Sequence, residues 1–173
     1  YAHTTQERFD LAAQAKDVIN GRLPLIVGTG AIRTEDSVAY AEHARSIKAD
    51  ALLVGTPPYA LPTQQEIAIH VKAVDRAAGL PIMLYNYPGR MSVAMDDEFF
   101  DAVADVKNII AIKESSGDMN RLHRTAVKYP NIALSCGWDD QALEFFAWGA
   151  QSWVCAGSNF IPREHVALYE ACV

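Results

Sequence analysis

The segment NIIAIKESSGD, residues 108–118, joins a short apolar run to a polar turn, and this pattern recurs along the chain. Short apolar runs bounded by Gly, Pro, Asn or Asp are typical of strands that are buried on both faces of a sheet. Five further runs of this kind are LPLIV (23–27), ALLVG (51–55), LPIMLYN (80–86), NIALSC (131–136) and SWVCAG (152–157). The sequence therefore predicts six strands.

Stretches of helical period surround these strands. They predict helices over residues 7–19, 35–47, 64–78, 96–104, 120–129, 139–148 and 163–171. Thr34 and Thr63 each precede a polar first turn and are predicted N-caps, while Gly79 follows a helical run as a terminator. Regular alternation of strand and helix indicates parallel strands with right-handed crossovers.

The spacing of the predicted strands distinguishes two α/β architectures. Strand starts recur at roughly 20 to 30 residues, as in the repeating unit of a (β/α)₈ TIM barrel. A doubly wound open sheet is the alternative, but no GxGxxG motif opens a helix in this chain. The predicted fold is therefore an α/β TIM barrel, of which residues 1–173 cover about six strands as one incomplete domain.

Composition excludes several classes of protein. Half of the 173 residues are hydrophobic, and 15 basic against 21 acidic side chains give a net charge of 15 − 21 = −6. This acidic excess argues against a nucleic-acid surface, and no run of about 18 apolar residues predicts a membrane span. With no signal-peptide pattern, a cytoplasmic protein is predicted. The three cysteines and five histidines show no paired metal-ligand spacing, so no metal site is predicted.

Lys113, at the end of the run IIAI, is the principal candidate for chemistry. An amine attacks a carbonyl only when it is unprotonated, and desolvation at a buried strand end lowers the pKa of lysine from its usual value of about 10. Such a lysine forms a Schiff base. The alternative is a structural lysine whose stem covers apolar surface while its ammonium reaches water.

Other polar groups follow neighbouring strands, and the carboxyl ends of barrel strands meet at one mouth. Tyr85 lies one βα unit before Lys113 and is a candidate proton shuttle, or else an aromatic packed under a loop. Arg90 follows a Pro-Gly turn and is a candidate clamp for a substrate carboxylate, or else a solvated loop residue. Tyr59, in the loop after the second strand, is a further candidate, or else a rigid loop aromatic.

Five motifs together resemble the dihydrodipicolinate synthase and N-acetylneuraminate lyase family of class I Schiff-base enzymes. They are GTG (28–30), TPPY (56–59), YNYPGR (85–90), IKESSGD (112–118) and VCAGSN (154–159). The resemblance implies a lyase or synthase that acts on pyruvate or a related 2-oxo acid, without an organic cofactor. It also implies a homodimer or homotetramer.

The resemblance also implies a role for each candidate residue. Lys113 would carry the Schiff base and Tyr85 would transfer protons, while Arg90 would hold the carboxylate of a second substrate such as aspartate semialdehyde. Tyr59 would reach into the active site of a neighbouring subunit. The remaining expected contributors to the pocket around the lysine are Gly137 and the backbone of Val154.

Three alternatives remain open from the sequence. The segments TPPYALP (56–62) and SCGWDDQALEFFAWGA (135–150) resemble family members that act on 1-pyrroline-4-hydroxy-2-carboxylate, and another alternative is a 2-oxo acid aldolase. The third is a catalytically incomplete fragment with a structural role only. It is suggested because the family's Gly-Thr-Thr-Gly-Glu segment, its first two strands and its C-terminal helices are expected to lie outside residues 1–173.

Overall fold

The computed structural model describes residues 2–173, and its centre is a curled, six-stranded parallel sheet in which strand order equals chain order. Each strand pairs in parallel with its neighbours in sequence. The strands are β1 (Ile26–Gly28), β2 (Ala51–Gly55), β3 (Ile82–Asn86), β4 (Ile109–Glu114), β5 (Ala133–Cys136) and β6 (Ser152–Trp153). The predicted α/β architecture with six parallel strands of a barrel is confirmed.

Helices connect successive strands. Those of the described residues are α1 (Thr5–Ile19), α2 (Thr34–Ser46), α3 (Gln64–Ala78), α4 (Pro88–Met91), α5 (Asp97–Ala102), α6 (Met119–Lys128), α7 (Ala142–Ala147) and α8 (Pro162–Cys172). Two short 3-10 helices cover Asp139–Gln141 and Gly157–Asn159. Across residues 2–173, no helix combines the length and the apolar character that crossing a membrane requires.

The first strand begins later than predicted, at Ile26 instead of Leu23. Pro24 has no N–H to give to a sheet, and Leu23 is exposed. The last strand is shorter than predicted because the chain leaves the sheet after Trp153 and turns towards the 3-10 helix at Gly157–Asn159. The fourth strand extends one residue further than predicted, through Glu114.

Most helix ends lie within two residues of the prediction, and three differences in local structure have a physical reason. Thr34 is the first residue of α2 and does not cap it, because its hydroxyl instead lies 3.0 Å from Nδ1 of His70. The turn predicted before Arg90 is the short helix α4, which has Pro88 at its first position, where a missing N–H costs nothing. The helix predicted over 139–148 begins with a 3-10 turn, a common start for a helix.

Two predicted helix-end residues, Thr63 and Gly79, are confirmed at α3. The hydroxyl of Thr63 accepts from the amide of Glu66, and the Glu66 carboxylate accepts from the amide of Thr63, which together form a capping box. Gly79 ends the helix with a φ of 60°, in the left-handed region that glycine adopts at little cost. The helix that covers β2 and β3 is therefore well defined at both ends.

The core lies between the sheet and its helices. On the face of the sheet that packs against the helices, the strand residues Leu52, Val54, Ile82, Leu84 and Ile112 have no exposed surface. They belong to one core with equally buried residues of α3 and α5, which are Ile67, Val71, Val74 and Phe99. Because strand side chains alternate between faces, the residues next to them in sequence point to the opposite, concave face. Tyr85 and Lys113 are two of these.

His70 of α3 is buried, with only 3% of its surface exposed, and burial lowers its pKa to about 4. In the unfolded chain this imidazole titrates near 6.5, so between pH 6.5 and 4 the unfolded state binds a proton that the folded state does not. We expect the free energy of unfolding to fall by up to about 3 kcal/mol as pH drops through this window.

Urea denaturation of the protein at a series of pH values measures this loss, and His70→Gln is the variant that isolates it. In this variant the free energy of unfolding is expected to change less between pH 6.5 and 4. The control His3→Gln, at an exposed residue, should keep the pH dependence of the unmodified protein. An unchanged slope in His70→Gln would contradict the assignment.

Candidate active site

A cavity of about 730 Å³ opens at the carboxyl ends of β3, β4, β5 and β6. Five of the six residues predicted from the sequence line it, and these are Tyr85, Arg90, Lys113, Gly137 and Val154. The cavity also contains residues that the sequence analysis did not select, among them Tyr87, Met91 and Trp138. The strand ends therefore converge as a barrel arrangement requires.

Lys113 and Tyr85 are opposite each other on adjacent strands. They are register partners of β4 and β3, and Nζ of Lys113 lies 4.4 Å from the centroid of the Tyr85 ring. Both side chains leave the sheet on the concave face, so the amine and the phenol share one cavity. This is the pairing that the spacing of one βα unit predicts.

The electrostatics around Lys113 favour its reactive form. Burial lowers the pKa of Lys113, because an ammonium loses hydration in the cavity. The charge of Asp139 acts in the opposite direction, followed by those of Cys136 and Cys155. Desolvation is the largest of these influences, so a greater fraction of the amine is neutral than for a lysine in water, which is what nucleophilic attack needs.

Glu114, the residue after the lysine, anchors the strand end on the opposite face. Only 2% of Glu114 is exposed, and its carboxylate accepts hydrogen bonds from Nδ2 of Asn86 and the amide of Ser116, both at 2.7 Å. Nε of Arg121 lies 3.6 Å from the same carboxylate, and the Arg121 guanidinium also donates to the carbonyl of Met95. Glu114 was predicted in a polar turn, and this role was not predicted. Continuing the alternation of strand faces one residue beyond Lys113 would have assigned Glu114 to the buried face.

Gly137 permits the close approach of β5 to the end of β4. Its amide donates to the carbonyl of Glu114 at 3.0 Å, and a Cβ at this position would lie 1.8 Å from Oγ of Ser115. Next to it, Nε1 of Trp138 donates to the carbonyl of Ser115 at 2.9 Å, which holds the indole as a wall of the cavity. Directly after β6, the amide of Val154 donates to the carbonyl of Cys136 at 2.9 Å.

Arg90 reaches the same cavity from α4. Its guanidinium carbon lies 5.8 Å from the centroid of the Tyr87 ring, and the Tyr87 and Trp138 rings are nearly perpendicular with centroids 5.7 Å apart. Arg90 therefore lies at the cavity together with the aromatic pair Tyr87 and Trp138. This position suits a guanidinium that meets a carboxylate at the mouth.

Tyr59 is the one predicted site residue that lies outside the cavity. Its side chain is 87% exposed, and its φ is 70°, a left-handed conformation that is rare for a bulky residue. Among the described residues, Tyr59 is therefore not part of the lining of the cavity that contains Lys113. The role that the sequence suggested for it, in the site of a neighbouring subunit, is a separate prediction.

The chain is similar to known proteins over almost its whole length. A profile of the Dihydrodipicolinate synthetase family matches residues 2–173. A 4-hydroxy-tetrahydrodipicolinate synthase of Exiguobacterium sibiricum is 40% identical over 169 residues, which are 96% of this chain and 58% of the relative. The chain thus spans less than two thirds of the length of the curated relatives it matches.

Solved structures agree with the sequence comparison. The dihydrodipicolinate synthase of Aquifex aeolicus superposes with a TM-score of 0.94 at 31% identity, over 99% of this chain and 59% of that one. The chloride-inhibited dihydrodipicolinate synthase of Acinetobacter baumannii, solved with pyruvate, gives a TM-score of 0.91 at 32% identity, over 99% and 58%. The six-stranded sheet is thus the corresponding part of these structures.

Proposed function

The chain belongs to the dihydrodipicolinate synthetase family. We therefore propose that the protein is a Schiff-base-forming lyase or synthase that acts on pyruvate or a related 2-oxo acid. The observation that carries the proposal is the partly desolvated amine of Lys113 beside Tyr85, in a cavity that also holds Arg90. Pyruvate bound to the Acinetobacter baumannii relative supports the choice of substrate class.

The proposed chemistry begins with attack by Nζ of Lys113 on the keto carbon of the substrate. The resulting carbinolamine loses its hydroxyl as water and becomes a protonated imine, and Tyr85 supplies and recovers the protons of these steps. Loss of a proton from the adjacent methyl group then gives an enamine, which attacks the carbonyl of a second substrate. Side chains alone perform this sequence, so no organic cofactor is required.

Reductive trapping tests the proposal. Borohydride reduces a protonated imine to a stable secondary amine, so the protein incubated with pyruvate and borohydride should gain one substrate-derived group per chain. Peptide mass spectrometry should place the group on Lys113 and leave the other lysines unmodified. A protein that gains no mass on Lys113 would contradict the mechanism and favour a purely structural role.

Arg90 is proposed to bind the carboxylate of the second substrate. A charge-assisted hydrogen bond to a carboxylate is worth about 1.5–3 kcal/mol, so Arg90→Ala is expected to raise KM for aspartate semialdehyde by about 10- to 100-fold. Trapping of pyruvate on Lys113 should continue, because that step does not need the second carboxylate. Steady-state kinetics measure the change, with Arg163→Ala on exposed α8 as the control.

Tyr59 is proposed to complete the active site of a second copy of the chain. Its 87% exposure and unusual φ place a rigid aromatic at the surface, where a neighbouring subunit would bury it. This arrangement makes a homodimer or homotetramer the active form, and sedimentation velocity measures that oligomeric state.

Subunit mixing provides the sharper experiment on Tyr59. Chains with Lys113→Ala and chains with Tyr59→Phe are expected to be nearly inactive separately and to regain activity when they are mixed, because one mixed site has both native residues. Mixing Lys113→Ala with Tyr85→Phe is the matched control, since Tyr85 and Lys113 line one cavity within a chain. Equal recovery in both mixtures, or in neither, would contradict the shared site.

A further inference from the structure

Three side chains from separate segments converge next to the Lys113 cavity. Asp139 begins the 3-10 helix after β5, Cys155 follows β6, and His165 lies in α8. One carboxylate oxygen, the thiol sulfur and one imidazole nitrogen all lie within 4.8 Å of one another. The sequence predicted no metal site, because the three residues have no short regular spacing and meet only in the folded chain.

The imidazole of His165 is oriented as a metal ligand. Its Nδ1 lies 2.8 Å from the carbonyl oxygen of Ile161, which can only accept, so the neutral ring has its proton on Nδ1 and its lone pair on Nε2. The ring stacks on Trp153 with centroids 4.4 Å apart. A histidine that donates one ring N–H to a carbonyl and presents the other nitrogen is the usual arrangement at metal sites.

The carboxylate of Asp139 is held in the same way. Oδ2 accepts from the amide of Gly157 at 2.9 Å and Oδ1 from the amide of Ala156 at 3.3 Å. A Cβ at Gly157 would lie 2.5 Å from Nε2 of His165 and 3.3 Å from Oδ2 of Asp139. Nε2 and the carboxylate therefore border a common space that only glycine leaves open.

We propose that Asp139, Cys155 and His165 bind a zinc ion. A thiolate, an imidazole and a carboxylate are the donor types that Zn²⁺ takes, and three protein ligands leave a fourth position for water. Zinc bond lengths place tetrahedral ligand atoms about 3.3–3.8 Å apart, so side-chain movements of roughly 1 Å close the site. With a single carboxylate, the set is poorly suited to Mg²⁺ or Ca²⁺, which prefer oxygen ligands.

Binding requires the Cys155 thiol to lose its proton to solvent as the sulfur–zinc bond forms. The ion would join the segment after β5, the end of β6 and α8. Asp139 and Cys155 also line the cavity that contains Lys113, so the zinc site and the cavity share a wall. The proposal does not depend on the chemistry assigned to Lys113.

Alkylation of the unmodified protein is the first test. Bound zinc shields a thiolate, so iodoacetamide should modify Cys155 at least about tenfold more slowly with Zn²⁺ than with a chelator. Cys172 provides an internal control, because it is also a partly exposed free cysteine and lies at the end of α8, outside the cluster. Equal protection of both cysteines, or of neither, would overturn the proposal.

Cobalt provides a spectroscopic test of the ligands, since Co²⁺ substitutes for Zn²⁺ and a cobalt–thiolate bond absorbs in the near ultraviolet. One equivalent per chain should produce this band, and Cys155→Ser and His165→Ala should lose it or weaken Co²⁺ binding by roughly 100-fold or more. Cys172→Ser should keep it.

Gly157→Ala is the most specific variant, because it retains all three ligands and pushes a methyl group against Nε2. It is expected to weaken Co²⁺ binding at least about tenfold while circular dichroism shows an intact fold. A band that survives in Cys155→Ser would overturn the proposal. If a variant does not fold, the alkylation of the unmodified protein decides.

Discussion

Lys113→Ala is expected to abolish both the pyruvate adduct and turnover, with kcat at least about 10³-fold lower than in the unmodified protein. The reason is that no other amine is available in the cavity: among the described residues that line it, Lys113 is the only lysine. Lys113→Arg keeps a positive charge but cannot form an imine, and it should be equally inactive. Borohydride trapping and steady-state kinetics measure the two effects.

Lys107→Ala is the matched control, because Lys107 is exposed and lies just before β4, on the same strand connection. It should leave adduct formation and kcat close to those of the unmodified protein. Lys113→Ala should also unfold at nearly the same denaturant concentration, since the lysine is only partly buried and forms no ion pair among those recorded for residues 2–173. Turnover that persists in Lys113→Ala would refute the Schiff-base mechanism.

Glu114→Ala is expected to lower the free energy of unfolding by about 3–5 kcal/mol, because it leaves the largely buried guanidinium of Arg121 without its counter-ion and the amide of Asn86 without its acceptor. The cost arises from the uncompensated groups that remain, more than from the lost contacts themselves. Urea denaturation monitored by circular dichroism measures it. The expected effect is large because Glu114 is almost fully buried.

Two further variants separate the sources of this effect. Glu114→Gln keeps an acceptor for Asn86 but removes the charge opposite Arg121, so its cost should be intermediate. Glu144→Ala, at an exposed position of α7, should change the free energy of unfolding by no more than about 0.5 kcal/mol. Equal losses in Glu114→Ala and Glu144→Ala would show that the Glu114 network contributes no stability.

Local patterns predicted most of the fold. The apolar runs and their punctuation depend on neighbours in sequence, which is why α3 was predicted with its observed bounds and its cap at Thr63. Because parallel strands end at a common edge, the predicted strands also placed Tyr85, Lys113 and Gly137 at one cavity. Residues at strand ends were therefore predictable once the strands were.

What escaped prediction depends on contacts between distant segments. Thr34 is a residue type that commonly caps helices, yet its hydroxyl forms a hydrogen bond with His70, which is distant in sequence. Glu114 follows the predicted apolar run and resembles a turn residue in sequence, but in the structure it ends β4 and binds Asn86 and Arg121. Tyr59 was predicted only from the resemblance to the family, because the role proposed for it in a second copy of the chain leaves no trace in one chain's periodicity.

The order of the strands also bears on how the molecule folds. Because each strand of β1 to β6 pairs with its predecessor in the chain, the sheet is assembled from successive βα units in chain order. A chain emerging from the ribosome would acquire Tyr85, then Lys113, and only afterwards Gly137 and Val154. The reactive amine is thus made before the wall that encloses it, so a nascent chain carries the lysine in water, with the ordinary basicity of an exposed amine, until β5 and β6 have been added.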